Sequence, residues 1–298
     1  MKTYKIAVPA GIGDVSWIWS KLSTIKDARF EIYTPDTYPQ RTFGWMDLLG
    51  YKVVPMIGKH GYNDILMQEI LKDYTYNNTW EEILSKHEPD DVIYLQPNQW
   101  FLQGRSLESW IPDLKTDFHY PIYLSVDVFK VVKNWIGNIE LPIGIHMASI
   151  KGARAWKAWM PNDWSNFISI MKEKNPKATF ILLGGSWDLD MALEVRTLLG
   201  KEFDVLDLVG KTSIGSVIEI LKRLTYYVGY SSGLNVMMNV LDKPCTALWP
   251  DWQNLHMNCH VEPRMVENRD YMGFVYDNPE KIARYCDVKL KEILNGKA

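Results

Sequence analysis

Cysteine is scarce in this sequence. Its three cysteines, Cys245, Cys259 and Cys286, occur in a chain of 298 residues. They are odd in number and no two of them have the C-x-x-C spacing, so neither a disulfide framework nor a zinc site is indicated. This cysteine usage is typical of a protein of the reducing cytosol.

Long apolar runs are missing as well. No window approaches the roughly 20 apolar residues that a membrane-spanning helix needs. The apolar segment of "MKTYKIAVPAG" is too short for a signal peptide. We therefore expect a soluble, cytoplasmic protein without a membrane span.

A strong charge of either sign is also absent. The net charge is -3, from 33 Lys and Arg against 36 Asp and Glu, so no general basic field favours nucleic acid as a partner. A local basic stripe remains compatible with this total. Hydrophobic residues make up 47% and charged residues 23%, as in a folded globular protein rather than a disordered chain.

Aromatic rings, by contrast, are plentiful. The chain contains 13 Trp and 16 Tyr. Such side chains supply stacking surfaces for ligand rings or sugars, and they also serve as large core residues. The sequence is compatible with both uses.

Strand and helix patterns alternate along the chain. "YKIAVPAG" predicts a strand that ends in a glycine turn, and "DVSWIWSKLSTI" predicts the helix after it. In the second half, the strand candidates "LPIGIHMA", "ATFILLGG", "FDVLDLVG", "TYYVGYS" and "PCTALWP" alternate with helix candidates. Apolar strands of this kind are typical of parallel sheets covered by helices on both faces. The sequence therefore predicts an α/β protein of two doubly wound lobes.

Breaks in this pattern give the domain boundaries. We predict an N-terminal lobe over residues 1–135 and a C-terminal lobe over 136–277, with the connection near 125–140. Residues 278–298 have the pattern of a terminal helix. We expect this helix to cross back to the N-terminal lobe.

The first candidate site is the turn "AGIGD". Gly11 and Gly13 permit a tight turn and close approach of a ligand, and Asp14 follows them. The turn lacks the third glycine of the dinucleotide fingerprint G-x-G-x-x-G, and Asp14 would repel an anion. Asp14 has two interpretations, a helix N-cap or a carboxylate that projects into a cleft.

The second candidate site is "SIKGARAWKAWMPNDW". It places Lys151, Arg154 and Lys157 after a strand, with Trp156 and Trp159 between and after them. Cations beside a helix N-terminus suit a pyrophosphate group. A solvated loop anchored by a tryptophan fits the same pattern.

Two further turns follow predicted strands. Ser231, Ser232 and Gly233 lie between a strand and a helix, where small hydroxyl side chains cap the helix or donate to a phosphate. "LLGGSW" adds a glycine turn that includes Gly184. In open α/β sheets, such strand-to-helix turns are where ligands bind.

Four segments together resemble the family-9 glycosyltransferases, which include the ADP-heptose heptosyltransferases of lipopolysaccharide synthesis. They are "GIGDVSWIWSKL", "IGIHMASIKGARAWKAWMPNDW", "ATFILLGGSWD" and "LVGKTSIGSVIEILKRLTYYVGYSSGLNVMMNVLDKPCTALWP". The resemblance covers residues 141–250 and the first turn of the N-terminal lobe. Ser231 and Val236 stand where the family commonly has Asp and His, so the donor sugar stays open.

The resemblance implies a GT-B fold, in which two Rossmann-like lobes face a cleft. It implies an inverting glycosyltransferase that uses a nucleotide diphosphate sugar of ADP or UDP type and needs neither a metal nor another cofactor. Asp14 would be the general base that deprotonates the acceptor hydroxyl. The implied donor-binding residues are Gly13, Ser149, Lys157, Trp159, Gly184, Thr212, Ser213, Ser231, Ser232 and Gly233.

Within this interpretation the acceptor stays open between a glycan, a protein, a small molecule and a hydroxymethylated base of phage DNA. A different class is also compatible with the sequence, a non-catalytic nucleotide-sugar-binding protein in which Asp14 is only a helix cap. A Rossmann oxidoreductase is disfavoured by the incomplete fingerprint.

Overall fold

The computed structural model describes residues 2–7, 12–13, 16, 19, 22–24, 28–35, 48, 53–56, 93–94, 120–156, 158–201, 203–230, 232–248, 270–272 and 278–296. The chain divides into two compact units. The first consists of Met1–Tyr123 with His256–His260, and the second of Leu124–Leu255 with Val261–Ala298.

The described part of the first unit contains a parallel sheet in the order β3-β2-β1-β4. Its strands are β1 (Lys2–Ala7), β2 (Ala28–Pro35), β3 (Val53–Met56) and β4 (Ile93–Tyr94). After β1, the helical residues Trp19 and Leu22 are buried. The Trp19 ring meets the Tyr120 ring edge to face, with centroids 6.5 Å apart. The predicted strand and the described helical residues after it thus begin a parallel α/β unit, and the turn between them lies outside the described residues.

The described part of the second unit contains six parallel strands in the order β10-β9-β8-β5-β6-β7. They are β5 (Leu141–His146), β6 (Ala178–Leu183), β7 (Val205–Asp207), β8 (Tyr226–Tyr230), β9 (Cys245–Leu248) and β10 (Asp270–Met272). Numbered from β5, this is the order 3-2-1-4-5-6 of a dinucleotide-binding sheet, whose direction of winding reverses between β5 and β8.

Seven helices of the second unit lie within the described ranges. They are α1 (Val126–Ile136), α2 (Ile150–Trp156), α3 (Pro161–Lys174), α4 (Leu189–Leu199), α5 (Ile214–Arg223), α6 (Gly233–Val240) and α7 (Pro279–Leu294). A short 3₁₀ helix, Ser186–Asp188, precedes α4. The helices form two packed groups, one of α3, α4 and α7 and the other of α1, α5 and α6. This arrangement is that of a doubly wound unit and confirms the predicted fold class.

The core of the second unit explains why its strands are apolar throughout. All residues of β5 and β8 are buried, as expected when helices cover both faces of a sheet. Trp164 and Phe167 of α3 are fully buried beside them. Burial of each such side chain contributes roughly 1.5–3 kcal/mol to folding.

Helix α1 spans most of residues 125–140, the predicted connection between the lobes. Ser125 caps it, because its hydroxyl accepts a hydrogen bond of 3.4 Å from the Val128 amide. Apolar residues Val132 and Ile136 of α1 are buried, and the helix packs against α5.

The terminal helix α7 packs on α3 through Ile282, Cys286 and Leu290, which are fully buried. A buried hydrogen bond of 3.1 Å joins the side chains of Asn175 and Asp287 across this contact. That α7 also crosses back to the N-terminal lobe stays a prediction. None of the helices in the described ranges is both long enough and apolar enough to cross a membrane.

Candidate functional site

The sheet order brings two of the predicted turns together. Strands β5 and β8 are hydrogen-bonded neighbours, with His146 in register with Gly229. The chain leaves β5 towards Ser149 and α2, and it leaves β8 towards Ser232 and α6. Both turns therefore begin at the carboxyl ends of the two strands at which the winding reverses, where ligands bind in open α/β sheets.

Ser149 caps α2 in this structure. Its hydroxyl accepts a hydrogen bond of 3.0 Å from the Gly152 amide. The next amide, that of Ile150, donates to the Asp190 carboxylate at 3.3 and 3.2 Å. Ala148 precedes the cap with a φ of 58°. The loop is thus fixed at both its own cap and the start of α4, and phosphate binding by Ser149 stays a prediction.

The cations of the second candidate site are only partly covered by the structure. Lys151 and Arg154 are exposed on α2. Lys157, the cation predicted to bind the donor phosphates, lies outside the described residues, and the side chain of Trp156 is not described.

Trp159 lies in the core of the second unit. It is 3% exposed, and its ring centroid is 4.9 Å from that of Trp164 and 5.5 Å from that of Phe167. Its carbonyl accepts a hydrogen bond of 3.4 Å from the Tyr230 hydroxyl. These contacts give Trp159 a packing function, and a contact with the donor stays a prediction.

The turns after β6 and β7 are joined by a backbone hydrogen bond of 3.0 Å, from the Gly210 amide to the Gly184 carbonyl. A Cβ atom at Gly184 would lie 2.7 Å from an Asp188 carboxylate oxygen, so this turn excludes a side chain there. Beyond Gly210, Thr212 is half-buried. Ser213 caps α5, because its hydroxyl accepts a hydrogen bond of 3.1 Å from the Ser216 amide.

The turn after β8 also contains a cap. The Ser232 hydroxyl accepts a hydrogen bond of 3.3 Å from the Leu234 amide, and Gly233 is the first residue of α6. Val236 is fully buried, so this position supplies an apolar contact to the core. Ser231 lies outside the described residues.

The proposed general base, Asp14, also lies outside the described residues, and its neighbour Gly13 is buried and helical. After Asp14, the Ser16 hydroxyl donates to the Ile12 carbonyl at 2.6 Å. The Ser16 carbonyl in turn accepts a hydrogen bond of 3.3 Å from the Tyr120 hydroxyl. The catalytic assignment of Asp14 stays a prediction.

Sequence reasoning missed three polar residues, which are His146 at the end of β5, Asp188 in the 3₁₀ helix after β6 and Tyr227 in β8. His146 and Asp188 are 9% and 4% exposed, and His146 Nε2 lies 3.7 Å from Asp188 Oδ2. Tyr227 is fully buried. We call His146, Asp188 and Tyr227 the switch-point cluster. The one signal in the sequence is a histidine that ends an apolar strand, and nothing near it in the sequence identifies its partners.

Electrostatics distinguish the tyrosine of this cluster. Burial raises the pKa of the Tyr227 hydroxyl far above its usual range, and the Ser232 side chain opposes part of that shift. No hydrogen bond of good geometry joins the hydroxyl to another described residue. Tyr227 is therefore a neutral hydrogen-bond donor throughout the physiological pH range.

A metal site of three or more His, Cys, Asp or Glu side chains does not occur among the residues that the structure describes. The two cysteines of the described ranges, Cys245 and Cys286, are buried.

Comparison with known proteins identifies relatives only among solved structures. No protein-family model and no curated protein matches the chain. ADP-heptose LPS heptosyltransferase II of E. coli matches with 15% identity over 100% of both chains and a TM-score of 0.66. A family-9 glycosyltransferase of Veillonella parvula matches with 13% identity over 98% of this chain and 97% of its own, also with a TM-score of 0.66.

A third structure has a different activity in its name. UDP-GlcNAc 2-epimerase of Neisseria meningitidis, bound to UDP-GlcNAc, matches with 11% identity over 100% of this chain and 94% of its own, with a TM-score of 0.57. These matches give the chain the GT-B fold. The resemblance to family-9 glycosyltransferases is thereby confirmed at the level of the fold.

Proposed function

We propose that this chain is a glycosyltransferase that moves a sugar from a nucleotide diphosphate sugar to an acceptor hydroxyl. One observation carries the proposal. The winding reverses between β5 and β8, and each of these strands is followed by a serine that caps the next helix. The fold supports it, because it is shared over the full length with a heptosyltransferase that is named for ADP-heptose.

The donor is held by its diphosphate in this proposal. The turn of Ser232 and Gly233 lies at the N-terminus of α6, where backbone amides and the helix dipole favour an anion. Ser149 and Lys157 bind the same group, and Thr212 and Ser213 lie near the nucleoside. The nucleotide is of ADP or UDP type, in keeping with the ADP-heptose and UDP-GlcNAc in the names of the structural relatives.

The reaction needs a base on one side and an anion site on the other. The acceptor oxygen bonds to the anomeric carbon while the bond from that carbon to the diphosphate breaks, which inverts the configuration. Asp14 takes the hydroxyl proton, and the electron pair of the broken bond leaves with the nucleoside diphosphate. Lys157 and the backbone amides of the donor turns stabilise this charge without a metal.

Replacement of Asp14 by Asn tests the proposal. A general base contributes about 10²–10⁴-fold, so Asp14→Asn should lower turnover by that factor. The affinity for the nucleoside diphosphate should change less than about twofold, because the carboxylate acts on the acceptor. Turnover is measured as release of nucleoside diphosphate, and affinity by titration calorimetry.

Asp127→Asn is the matched control. Asp127 lies on α1 with its side chain 87% exposed, and it pairs with Lys130 at the surface. Asp127→Asn should leave both the turnover and the affinity for the nucleoside diphosphate unchanged. Turnover of Asp14→Asn at the wild-type rate would refute the assignment of the base.

The same assay separates the alternatives. A non-catalytic nucleotide-sugar-binding protein would be stabilised by the ligand without releasing nucleoside diphosphate. An epimerase would return an intact nucleotide sugar, which chromatography distinguishes from a transfer product. The acceptor is then identified by supplying glycan, protein, small-molecule and hydroxymethylated-DNA acceptors in turn.

A further inference from the structure

Two glycines in neighbouring strands make room for Tyr227. A Cβ atom at Gly144 of β5 would lie 3.1 Å from the Tyr227 ring, and one at Gly229 of β8 would lie 2.7 Å from the Tyr227 hydroxyl oxygen. Glycine within a strand weakens it and often marks a close approach. At Gly229 a side chain would displace the Tyr227 hydroxyl, whereas at Gly144 it would meet the Leu224 side chain first and the Tyr227 ring second.

His146 borders the same space. The point at which a Gly229 Cβ would lie is 3.0 Å from the Cβ atom and from the carbonyl oxygen of His146. His146 is the last residue of β5. The Tyr227 hydroxyl and the His146 Cβ atom therefore border the same position beside Gly229, near the carboxyl ends of β5 and β8.

Asp188 lies beside the imidazole ring. Its Oδ2 atom lies 3.7 Å from His146 Nε2 and accepts a hydrogen bond of 2.9 Å from the Gly185 amide. The carboxylate is thus fixed to the turn after β6 and faces one ring nitrogen. The other ring nitrogen, Nδ1, is not the atom that faces Asp188.

That second nitrogen lacks a partner. Nδ1 of His146 is buried and has no hydrogen-bond partner among the residues that the structure describes, although His146 is nine-tenths buried. Buried polar groups are nearly always hydrogen-bonded, so each exception calls for a reason. A bound ligand that supplies the missing hydrogen bond is such a reason.

We propose that His146, through Nδ1, and Tyr227, through its hydroxyl, contact the donor diphosphate, and that Asp188 positions the imidazole for this contact. The inference rests on the proposed function and adds contacts that the sequence does not predict. Phosphate oxygens accept a hydrogen bond from the Tyr227 hydroxyl, and they accept one from His146 Nδ1 when the imidazole carries a proton on both nitrogens, with Nε2 facing the Asp188 carboxylate. The position fits the ligand, because the crevice at such a reversal of winding is where nucleotides bind.

Two substitutions of His146 distinguish ligand contact from a structural contact. The amide of asparagine occupies the position of Nδ1, and that of glutamine the position of Nε2. His146→Asn keeps the donor at Nδ1 but loses the Asp188 contact, so it should lose less affinity for ADP or UDP than His146→Gln, which should lose about tenfold or more, as for a hydrogen bond to a charged group. Titration calorimetry with ADP and with UDP measures both.

Tyr227→Phe is the second arm and has a matched control in the same strand. Tyr226 is as deeply buried as Tyr227, but its hydroxyl bonds to Thr246 of β9. Tyr227→Phe should weaken nucleotide binding about fivefold to tenfold, and Tyr226→Phe should leave it unchanged. If a His146 variant does not fold, as judged by circular dichroism, this pair still decides the Tyr227 contact.

The outcomes against the proposal are distinct. If His146→Gln retains the nucleotide affinity and His146→Asn loses it, Nδ1 does not contact the ligand. His146 then acts only through its structural contact with Asp188. Unchanged affinity in His146→Gln and Tyr227→Phe would mean that the space holds an internal water and no ligand. If the wild-type protein binds neither ADP nor UDP, the proposed function itself falls, and this is seen before any variant is made.

Discussion

Ala148 has a φ of 58° in the loop between β5 and α2. For a residue with a Cβ atom this left-handed conformation costs roughly 1–2 kcal/mol, whereas glycine adopts it freely. Ala148→Gly should therefore raise the free energy of unfolding, by about 0.5 kcal/mol after the added entropy of the unfolded chain is subtracted. Urea denaturation measures the change.

Ala153 of α2 gives the control for this prediction. It is fully buried in a helix, so Ala153→Gly should lower the free energy of unfolding by about 1–2 kcal/mol through helix propensity and a lost buried methyl group. The two changes are chemically identical and should differ in sign. A loss of stability in Ala148→Gly would show that the loop does not hold this conformation in solution.

For some single residues, the sequence predicts the position but not the contacts. Ser149, Ser213 and Ser232 follow strands and precede helices, a position that allows either a cap or a phosphate contact, and all three are caps here. His146 and Asp188 meet only because β5 and β6 are neighbours. Their pairing depends on the sheet order, which the local sequence does not contain.

Among the elements, the predicted strands of the second half were the clearest because each is an apolar run. β5, β6, β7, β8 and β9 lie within the predicted segments. The edge strand β10 has the sequence "DYM" and pairs with β9 over three residues, so it lacks any apolar pattern to identify it. The sequence therefore identifies the three-residue edge strand β7 as well as the longer buried strands, and it does not identify β10.

Helix α5 offers a prediction about its own start. The Ser213 hydroxyl accepts from the Ser216 amide at 3.1 Å and bonds to the Ser216 hydroxyl at 3.0 Å. Loss of such a cap costs about 1 kcal/mol, so Ser213→Ala should lower the free energy of unfolding by this amount. Ser213→Asp should restore most of it, because aspartate is an equally good cap. Urea denaturation compares the three proteins.

Nucleotide affinity of these variants separates the two functions assigned to Ser213. A residue that only caps α5 changes stability alone, whereas contact with the nucleoside would lower the affinity for ADP or UDP in Ser213→Ala as well. Ser165→Ala is the control, because this exposed hydroxyl on α3 donates to the Asn162 carbonyl. Its loss should change stability by less than about 0.5 kcal/mol. A comparable loss in both variants would contradict the cap.

At the scale of the whole molecule, the fold alone does not select the reaction. Chains named as heptosyltransferase and as 2-epimerase have the same architecture over nearly the full length of this one, and function resides in sites placed on a fold. What the fold does determine is the position of the reversal of winding, which occurs once, between β5 and β8, within the described strands of the second sheet. We propose that the donor binds there. The placement of the donor is thus testable before the reaction is known.

A ligand stabilises the part of a protein to which it binds. At a concentration of one hundred times its Kd, ADP or UDP should stabilise the protein by about 2.7 kcal/mol. Hydrogen exchange should then slow at the carboxyl ends of β5 and β8 and in the helices that follow them, α2 and α6, because the proposed donor turns lie there. The terminal helix α7, which packs on α3, is an internal reference within the same unit. Slowed exchange confined to β1 and β2 of the first unit would place the nucleotide elsewhere and contradict the donor site.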